Sequence, residues 1–203
     1  MEIDVAFSRR CDLNYRHQTH PRQSFSAWVD ATAQGIISAR MITRMADALG
    51  ADTARRPDVM ELRREAAVLS AYMRESMWDV RTSTFADRRL RPTPTGPGSH
   101  VLSPTRSIAA YWTLLADVVD SVRLVPFVDA LDNPELFNRP VRPPALAASH
   151  GAYSSTGGYW NGGVWPPTTY MVRGIDSVVH WDDTKCCLCA RVVRHPLWSD
   201  QVY

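Results

Sequence analysis

The amino-acid sequence predicts an all-α fold built of consecutive helical hairpins. Two observations support this prediction. Apolar residues recur at spacings of three and four in six segments, and irregular stretches rich in proline or polar residues divide these segments into pairs. Helices paired in this way are typical of an α/α solenoid or toroid. No sequence period of about 20 to 50 residues recurs, which argues against a simple repeat array.

The first two segments form the clearest pair. Residues 27–49 have one apolar helical face, and Gly50 follows as a helix terminator. Residues 57–77 begin at Pro57 and repeat the pattern, with a charged stripe beside the apolar face. Residues 78–87 break the helical period and predict a turn or a small β-hairpin.

The second half of the chain alternates loops with helices. Residues 91–104 hold four prolines and two glycines, so we expect a flexible insertion loop there. A third helix is predicted from about Thr105, with Ile108, Trp112, Leu115 and Val119 on one face. Further helices are predicted over residues 122–131, 166–181 and 185–202, and residues 1–25 and 138–156 are expected to be loops.

Composition excludes several classes of function. With 203 residues, of which 45% are hydrophobic, the chain can bury a core as one domain or as part of a larger one. Its 23 basic and 21 acidic residues are spread along the sequence, which argues against a nucleic-acid partner. Neither a signal peptide nor an apolar run of about 18 residues is visible, so we expect no membrane partner and a cytoplasmic location by default.

A cysteine cluster invites a zinc interpretation. Cys186, Cys187 and Cys189 lie close in sequence to His180 and His195. A structural zinc site usually has two separated ligand pairs, whereas these residues fall in or near one predicted helix. We therefore expect neither a metal nor a cofactor, and the role of the cysteines stays open.

The stretch from Gly157 to Met171 is the most informative in the chain. It holds four glycines, four aromatic rings and two prolines. Glycine permits positive φ, and proline suits the first turn of a helix, so a loop of one fixed shape should lead into the fifth helix. Tyr159, Trp160, Asn161 and Trp165 are candidates for a sugar-binding wall, because indole faces stack on sugar rings. Alternatively, the rings simply cap a helical core, and composition favours neither interpretation.

The same stretch carries a family resemblance. Its Gly-Gly-Tyr-Trp, Gly-Val-Trp and Pro-Thr-Thr-Tyr-Met runs resemble the signature of glycoside hydrolase family 63, the (α/α)6-barrel enzymes that include mannosylglycerate hydrolases and processing α-glucosidases. Residues 28–34, 77–87 and 107–116 resemble further family segments in the same order. The resemblance implies that residues 1–203 are part of one catalytic domain, a partial (α/α)6 toroid. It also implies inverting hydrolysis of a small α-linked glycoside of the α-glucoside, mannosylglycerate or glucosylglycerate type.

Inverting hydrolysis requires two carboxyl groups, on the order of 6.5 to 9.5 Å apart. The resemblance places the general acid at Asp4, and it makes Asp30 and Gln34 candidate sugar ligands at the start of the first helix. Asp30 would also suit a helix N-terminus without any sugar.

The general base of the family is a glutamate in a Trp-Glu-x-Tyr-like segment, and no equivalent is found in the 203 residues. We therefore expect an inactive fragment that requires the remainder of the barrel or a partner chain. The alternatives are a non-catalytic carbohydrate-binding remnant and a purely structural toroid segment.

Overall fold

The computed structural model describes residues 26–50, 55–93 and 96–178. These residues are mainly helical, with short strands between the helices. The helices are α1 (Val29–Ala48), α2 (Pro57–Ser76), α3 (Trp112–Leu115), α4 (Ser121–Val128) and α5 (Pro166–Val178). Turns of 3-10 helix lie at Ile108–Tyr111, Asp129–Leu131 and Tyr159–Asn161.

Helices α1 and α2 form the predicted antiparallel hairpin. Asp47, near the end of α1, forms an ion pair of 2.6 Å with Arg63, near the start of α2. At the other end of the pair, a Cβ on Gly35 would lie 3.9 Å from a methyl group of Leu69. Ala33 and Ile36 of α1 and Met73 of α2 are fully buried between them and the rest of the core. The periodicity of the first two segments therefore predicted both elements correctly.

Short strands in the described ranges supplement the helices. Strands β2 (Trp78–Asp79) and β3 (Thr84–Phe85) form the small antiparallel hairpin that the sequence predicted. Strands β1 (Ser26–Ala27), β4 (Arg88–Thr93) and β5 (Gly96–Leu102) form an antiparallel sheet in the order β1, β4, β5.

The prediction of a loop over residues 91–104 was therefore wrong, since most of this segment is strand. Proline lacks an N–H, but it is tolerated at strand edges and bulges. In the part of the chain that the structure describes, β1 pairs with Arg88 and Arg89 and not beyond them. The register of β4 with β5 shifts between Arg91 and Thr93, so Pro92 lies at an irregular place in the sheet.

The third helix is shorter than its spacing predicted. The 3-10 turn at Ile108–Tyr111 is followed by only one turn of α-helix, and Asp117 then adopts a φ of 49°. A positive φ is incompatible with a continuing right-handed helix, which explains the early end. The helix predicted over residues 122–131 is confirmed as α4 and the 3-10 turn that follows it. The helix predicted from residue 166 is confirmed at its start as α5. The predicted sixth helix over residues 185–202 lies outside the described residues.

A cluster of aromatic rings forms the centre of the core. Tyr111 stacks on Phe127 with a centroid separation of 4.5 Å, and Phe85 meets Phe127 edge to face at 5.6 Å. α3 packs against both α1 and α5, so it links the first hairpin to the helix that follows the aromatic loop. Among the described residues, we find no helix with the length and apolar character that a membrane crossing requires.

Candidate functional site

The loop before α5 has a backbone that only a glycine-rich sequence can adopt. Gly157, Gly158 and Gly162 have φ values of 88°, 120° and 151°, as their glycine identity predicted. Tyr159 also has a positive φ, of 50°, which is uncommon for a residue with a Cβ. The rings that follow Gly158 are thus held by a backbone shape that ordinary residues avoid.

Hydrogen bonds fix this shape on both sides. The N–H of Ser154 donates to the carbonyl of Asn161 at 2.6 Å, and the N–H of Ala145 donates to the carbonyl of Gly163 at 2.9 Å. A Cβ on Gly162 would lie 2.2 Å from the Ser154 carbonyl oxygen, and one on Gly163 would lie 2.8 Å from that of Tyr159. These approaches are closer than any side chain allows.

Three aromatic side chains of this loop form one cluster. Trp160 and Trp165 stack at 5.1 Å with an angle of 23° between their rings, and Tyr159 meets them edge-on at 5.6 and 5.3 Å. Tyr159 is 70% exposed and Trp160 is 49% exposed, whereas Trp165 is partly buried against the core. Trp165 also donates its indole N–H to the Tyr159 carbonyl at 3.2 Å. Trp165 therefore anchors the cluster, and Tyr159 and Trp160 present it to solvent.

The polar residues of the stretch differ in what they can offer a ligand. Asn161 is exposed, and its backbone rather than its side chain holds the loop. The buried hydroxyl of Thr168 donates to the Trp165 carbonyl at 2.9 Å, so it serves the start of α5. The hydroxyl of Thr169 is buried and has no hydrogen-bond partner among the described residues.

Asp30 and Gln34 lie on the first turns of α1, apart from the aromatic loop in sequence and in secondary structure. Gln34 is exposed, and the Asp30 carboxylate accepts from the N–H of Ala31 at 2.8 Å. That bond fits the helix-terminus interpretation of Asp30, and it leaves the second carboxylate oxygen for other partners. α3 packs against both α1, which carries these two residues, and α5, which follows the aromatic loop.

Asp87 lies at the start of α1, a position that its sequence does not predict. Its carboxylate accepts the N–H of Val29, the first residue of α1, at 2.9 Å. Burial raises the pKa of Asp87, and the charge of Asp30 raises it further, against the opposing effects of the Val29 N–H and Arg89. The contact spans 58 positions of sequence, so no local pattern could have indicated it.

Asp79, in the β2–β3 hairpin, illustrates the opposite case. Burial alone would raise its pKa, but hydrogen bonds from Arg81 and Thr82 outweigh burial and hold the pKa of Asp79 below its usual range. Its carboxylate accepts from the backbone N–H of Arg81 at 3.0 Å and from its guanidinium at 3.3 Å. The Asp79 carboxylate thus stabilises the turn between β2 and β3.

Other predicted residues fall beyond the part of the chain that can be described. Asp4, the candidate general acid, lies outside the described residues, as do Cys186, Cys187 and Cys189. Within the described ranges, no group of three or more His, Cys, Asp or Glu side chains is arranged to hold a metal ion.

Solved structures that resemble this fold include helical-barrel glycosidases. The mannosylglycerate hydrolase of Thermus thermophilus in complex with glucose gives a TM-score of 0.61 at 18% identity, covering 93% of this chain and 40% of that one. The same enzyme with Tris and D-glycerate gives 0.60 at 16% identity, covering 82% and 36%. Neutral trehalase from Saccharomyces cerevisiae gives 0.57 at 16% identity, covering 76% and 29%. This protein thus spans well under half of each of these chains.

The sequence itself assigns the family. The family model of the mannosylglycerate hydrolase MGH1-like glycoside hydrolase domain matches residues 3–185, so the chain belongs to that family. No curated protein matches the sequence. The family membership agrees with the glycoside hydrolase family 63 resemblance of the aromatic stretch and of the three segments that precede it.

Proposed function

We propose that this chain is part of an (α/α)6 glycoside hydrolase domain that binds a small α-linked glycoside through the exposed rings of Tyr159 and Trp160. The observation that carries the proposal is the arrangement of the loop. Hydrogen bonds and the close backbone approaches at Gly162 and Gly163 fix the loop in one shape. In that shape the rings of Tyr159 and Trp160 are exposed to solvent. A sugar ring stacks on such a surface, and Asn161 lies beside it to hydrogen-bond sugar hydroxyls.

The substrate class is proposed from the relatives. The solved mannosylglycerate hydrolase is described in complexes with glucose and with D-glycerate. We infer a small α-linked glycoside of the α-glucoside, mannosylglycerate or glucosylglycerate type, cleaved with inversion when the domain is complete. In that domain Asp4 would protonate the leaving oxygen, while Asp30 and Gln34 would contact sugar hydroxyls.

The chain by itself is proposed to be inactive. Inverting hydrolysis needs a second carboxylate that activates water, and general base catalysis supplies about 10² to 10⁴ in rate. No Trp-Glu-x-Tyr-like segment is found in the sequence. The chain corresponds to only 36% to 40% of the mannosylglycerate hydrolase chains, which supports a partial (α/α)6 toroid completed by further hairpins.

The experiment is a titration of tryptophan fluorescence with methyl α-glucoside and with mannosylglycerate. We expect saturable binding by the natural chain and, for Trp160→Ala, an affinity about fivefold or more lower, because a stacking surface worth on the order of 1 kcal/mol is removed. Tyr170→Ala is the matched control, since Tyr170 is an exposed aromatic residue of α5 outside the ring cluster. Equal affinities for Trp160→Ala and the natural chain would contradict the binding proposal.

Turnover of the same two glycosides separates the catalytic and non-catalytic candidates. Robust hydrolysis by the chain alone would contradict its inactivity. The second candidate, a carbohydrate-binding remnant, is favoured by the exposed rings, which suit binding and carry no acid or base. The coding sequence beyond Tyr203 decides between the two: a Trp-Glu-x-Tyr-like segment supports the enzyme, and its absence supports the remnant.

A further inference from the structure

The first turn of α1 depends on a residue far away in the sequence. Trp28 occupies the N-cap position, but its side chain cannot accept a hydrogen bond, so the N-cap residue itself does not cap α1. The N–H of Val29, which has no acceptor within the helix, donates instead to the Asp87 carboxylate at 2.9 Å. Helix N-terminal N–H groups need such acceptors, because no carbonyl precedes them in the helix.

The sheet holds Asp87 in place for this contact. Ala27 pairs with Arg88 and Ser26 with Arg89, so strands β1 and β4 run antiparallel up to the start of α1. The carbonyl of Asp87 itself accepts the N–H of Ser103 at 2.8 Å, which ties the residue to the end of β5. Asp87 therefore connects the sheet to α1.

The charge of Asp87 is costly at this place. Its carboxyl group is partly buried, and Asp30 of α1 faces it with a like charge, while Arg89 of β4 and the Val29 N–H favour the ionised form. Asparagine caps helices about as well as aspartate does and brings no charge. Capping α1 therefore requires an acceptor oxygen but not the negative charge that Asp87 brings close to Asp30.

We propose that Asp87 is a positioning residue: it anchors the first turn of α1 and thereby fixes where Trp28 and Asp30 lie for a bound sugar. Trp28 is 62% exposed, and Asp30 follows it by two residues, so both move with this turn. The sugar part of this inference rests on the proposed function. The anchoring part rests on the hydrogen bond and the sheet register alone.

The test compares Asp87→Asn, which keeps an acceptor, with Asp87→Ala, which removes it. After circular dichroism shows that each variant is folded, amide hydrogen exchange at Val29 and methyl α-glucoside affinity are measured from pH 4 to 8. For Asp87→Ala we expect exchange about fivefold faster and affinity lower by a similar factor, the usual effect of losing a cap. Asp87→Asn, which keeps an acceptor but not the charge, should restore the slow exchange of Val29 at neutral pH.

The pH profile separates positioning from plain stability. The natural chain should show an inflection in sugar affinity above the ordinary aspartate range, because the pKa of Asp87 is raised, and Asp87→Asn should lack it. An unchanged inflection in Asp87→Asn, or natural affinity in folded Asp87→Ala, overturns the sugar part. If the natural chain binds no sugar, the proposed function fails, and Val29 exchange alone then decides the anchoring: equal exchange in all three proteins overturns it.

Discussion

Gly162 makes the closest backbone approach of the described glycines. Its φ is 151°, and an added Cβ would lie 2.2 Å from the carbonyl oxygen of Ser154. Because that oxygen belongs to the backbone, the loop itself must shift to admit a methyl group. We expect Gly162→Ala to destabilise the protein by on the order of 1 to 3 kcal/mol, the range for a strained backbone conformation. Thermal unfolding should show a midpoint lower by several degrees.

Gly151→Ala is the matched control for this substitution. Gly151 lies in the same irregular region, and a Cβ there would have nothing within 4 Å. We expect a change within about 0.5 kcal/mol, as for ordinary surface positions. If the two alanine variants unfolded at the same temperature, the close approach of Gly162 to Ser154 would not exist in solution.

The residues of the loop show what sequence can and cannot indicate at this scale. Positive φ at Gly157, Gly158 and Gly162 follows from residue type, because glycine has no Cβ to clash. The stacking of Trp160 on Trp165 does not follow, since it depends on the turn between them and covers one face of each indole. Of the two indoles, that of Trp160 is the more exposed to solvent.

Helix α4 is held mainly by one ring. Phe127 is fully buried, stacks on Tyr111 at 4.5 Å and contacts Phe85 and Trp78 edge to face. Its carbonyl also accepts the Tyr111 hydroxyl at 3.1 Å. We expect Phe127→Ala to cost about 3 to 5 kcal/mol, because the cavity is enclosed by rigid rings that cannot collapse into it. Urea denaturation should show a lower midpoint with little change in slope.

Val122→Ala on the same helix provides the comparison for Phe127. Val122 is 84% exposed, so its truncation should alter the free energy of unfolding by less than about 0.5 kcal/mol. Similar losses in both variants would mean that α4 is stabilised by its own helix propensity rather than by the ring cluster.

Elements with strong apolar periodicity could be predicted, and those that depend on pairing could not. α1 and α2 follow from their spacing of apolar residues, and their bounds agree within a residue or two. The β4–β5 ribbon was missed because its prolines and glycines resemble a loop, and only strand pairing shows that Pro92 lies where no N–H is needed. Ile108 and Trp112 keep helical spacing, yet Asp117 ends that helix through its backbone conformation.

At the scale of the molecule, an exposed apolar face of α1 is the feature that bears on assembly. The C-terminal half of α1 and its C-cap residue expose apolar side chains one turn apart, at Met41, Met45 and Leu49, beside the exposed Ile42. α1 meets α2 and α3 on its other sides. Because the chain corresponds to 40% or less of the mannosylglycerate hydrolase chains, we propose that the remaining hairpins of the toroid cover this stripe.

Without those hairpins, the stripe should cause the isolated chain to associate with itself, because contiguous exposed apolar surface favours association. We expect light scattering after size-exclusion chromatography to show concentration-dependent oligomers for the natural chain and a monomer for the triple variant Met41→Gln, Met45→Gln, Leu49→Gln. Val141→Gln is the control, since Val141 is an exposed apolar residue outside α1, and it should behave as the natural chain does. A natural chain that stays monomeric at high concentration would show that this face of α1 needs no covering, and the proposed completion by further hairpins would lose its support there.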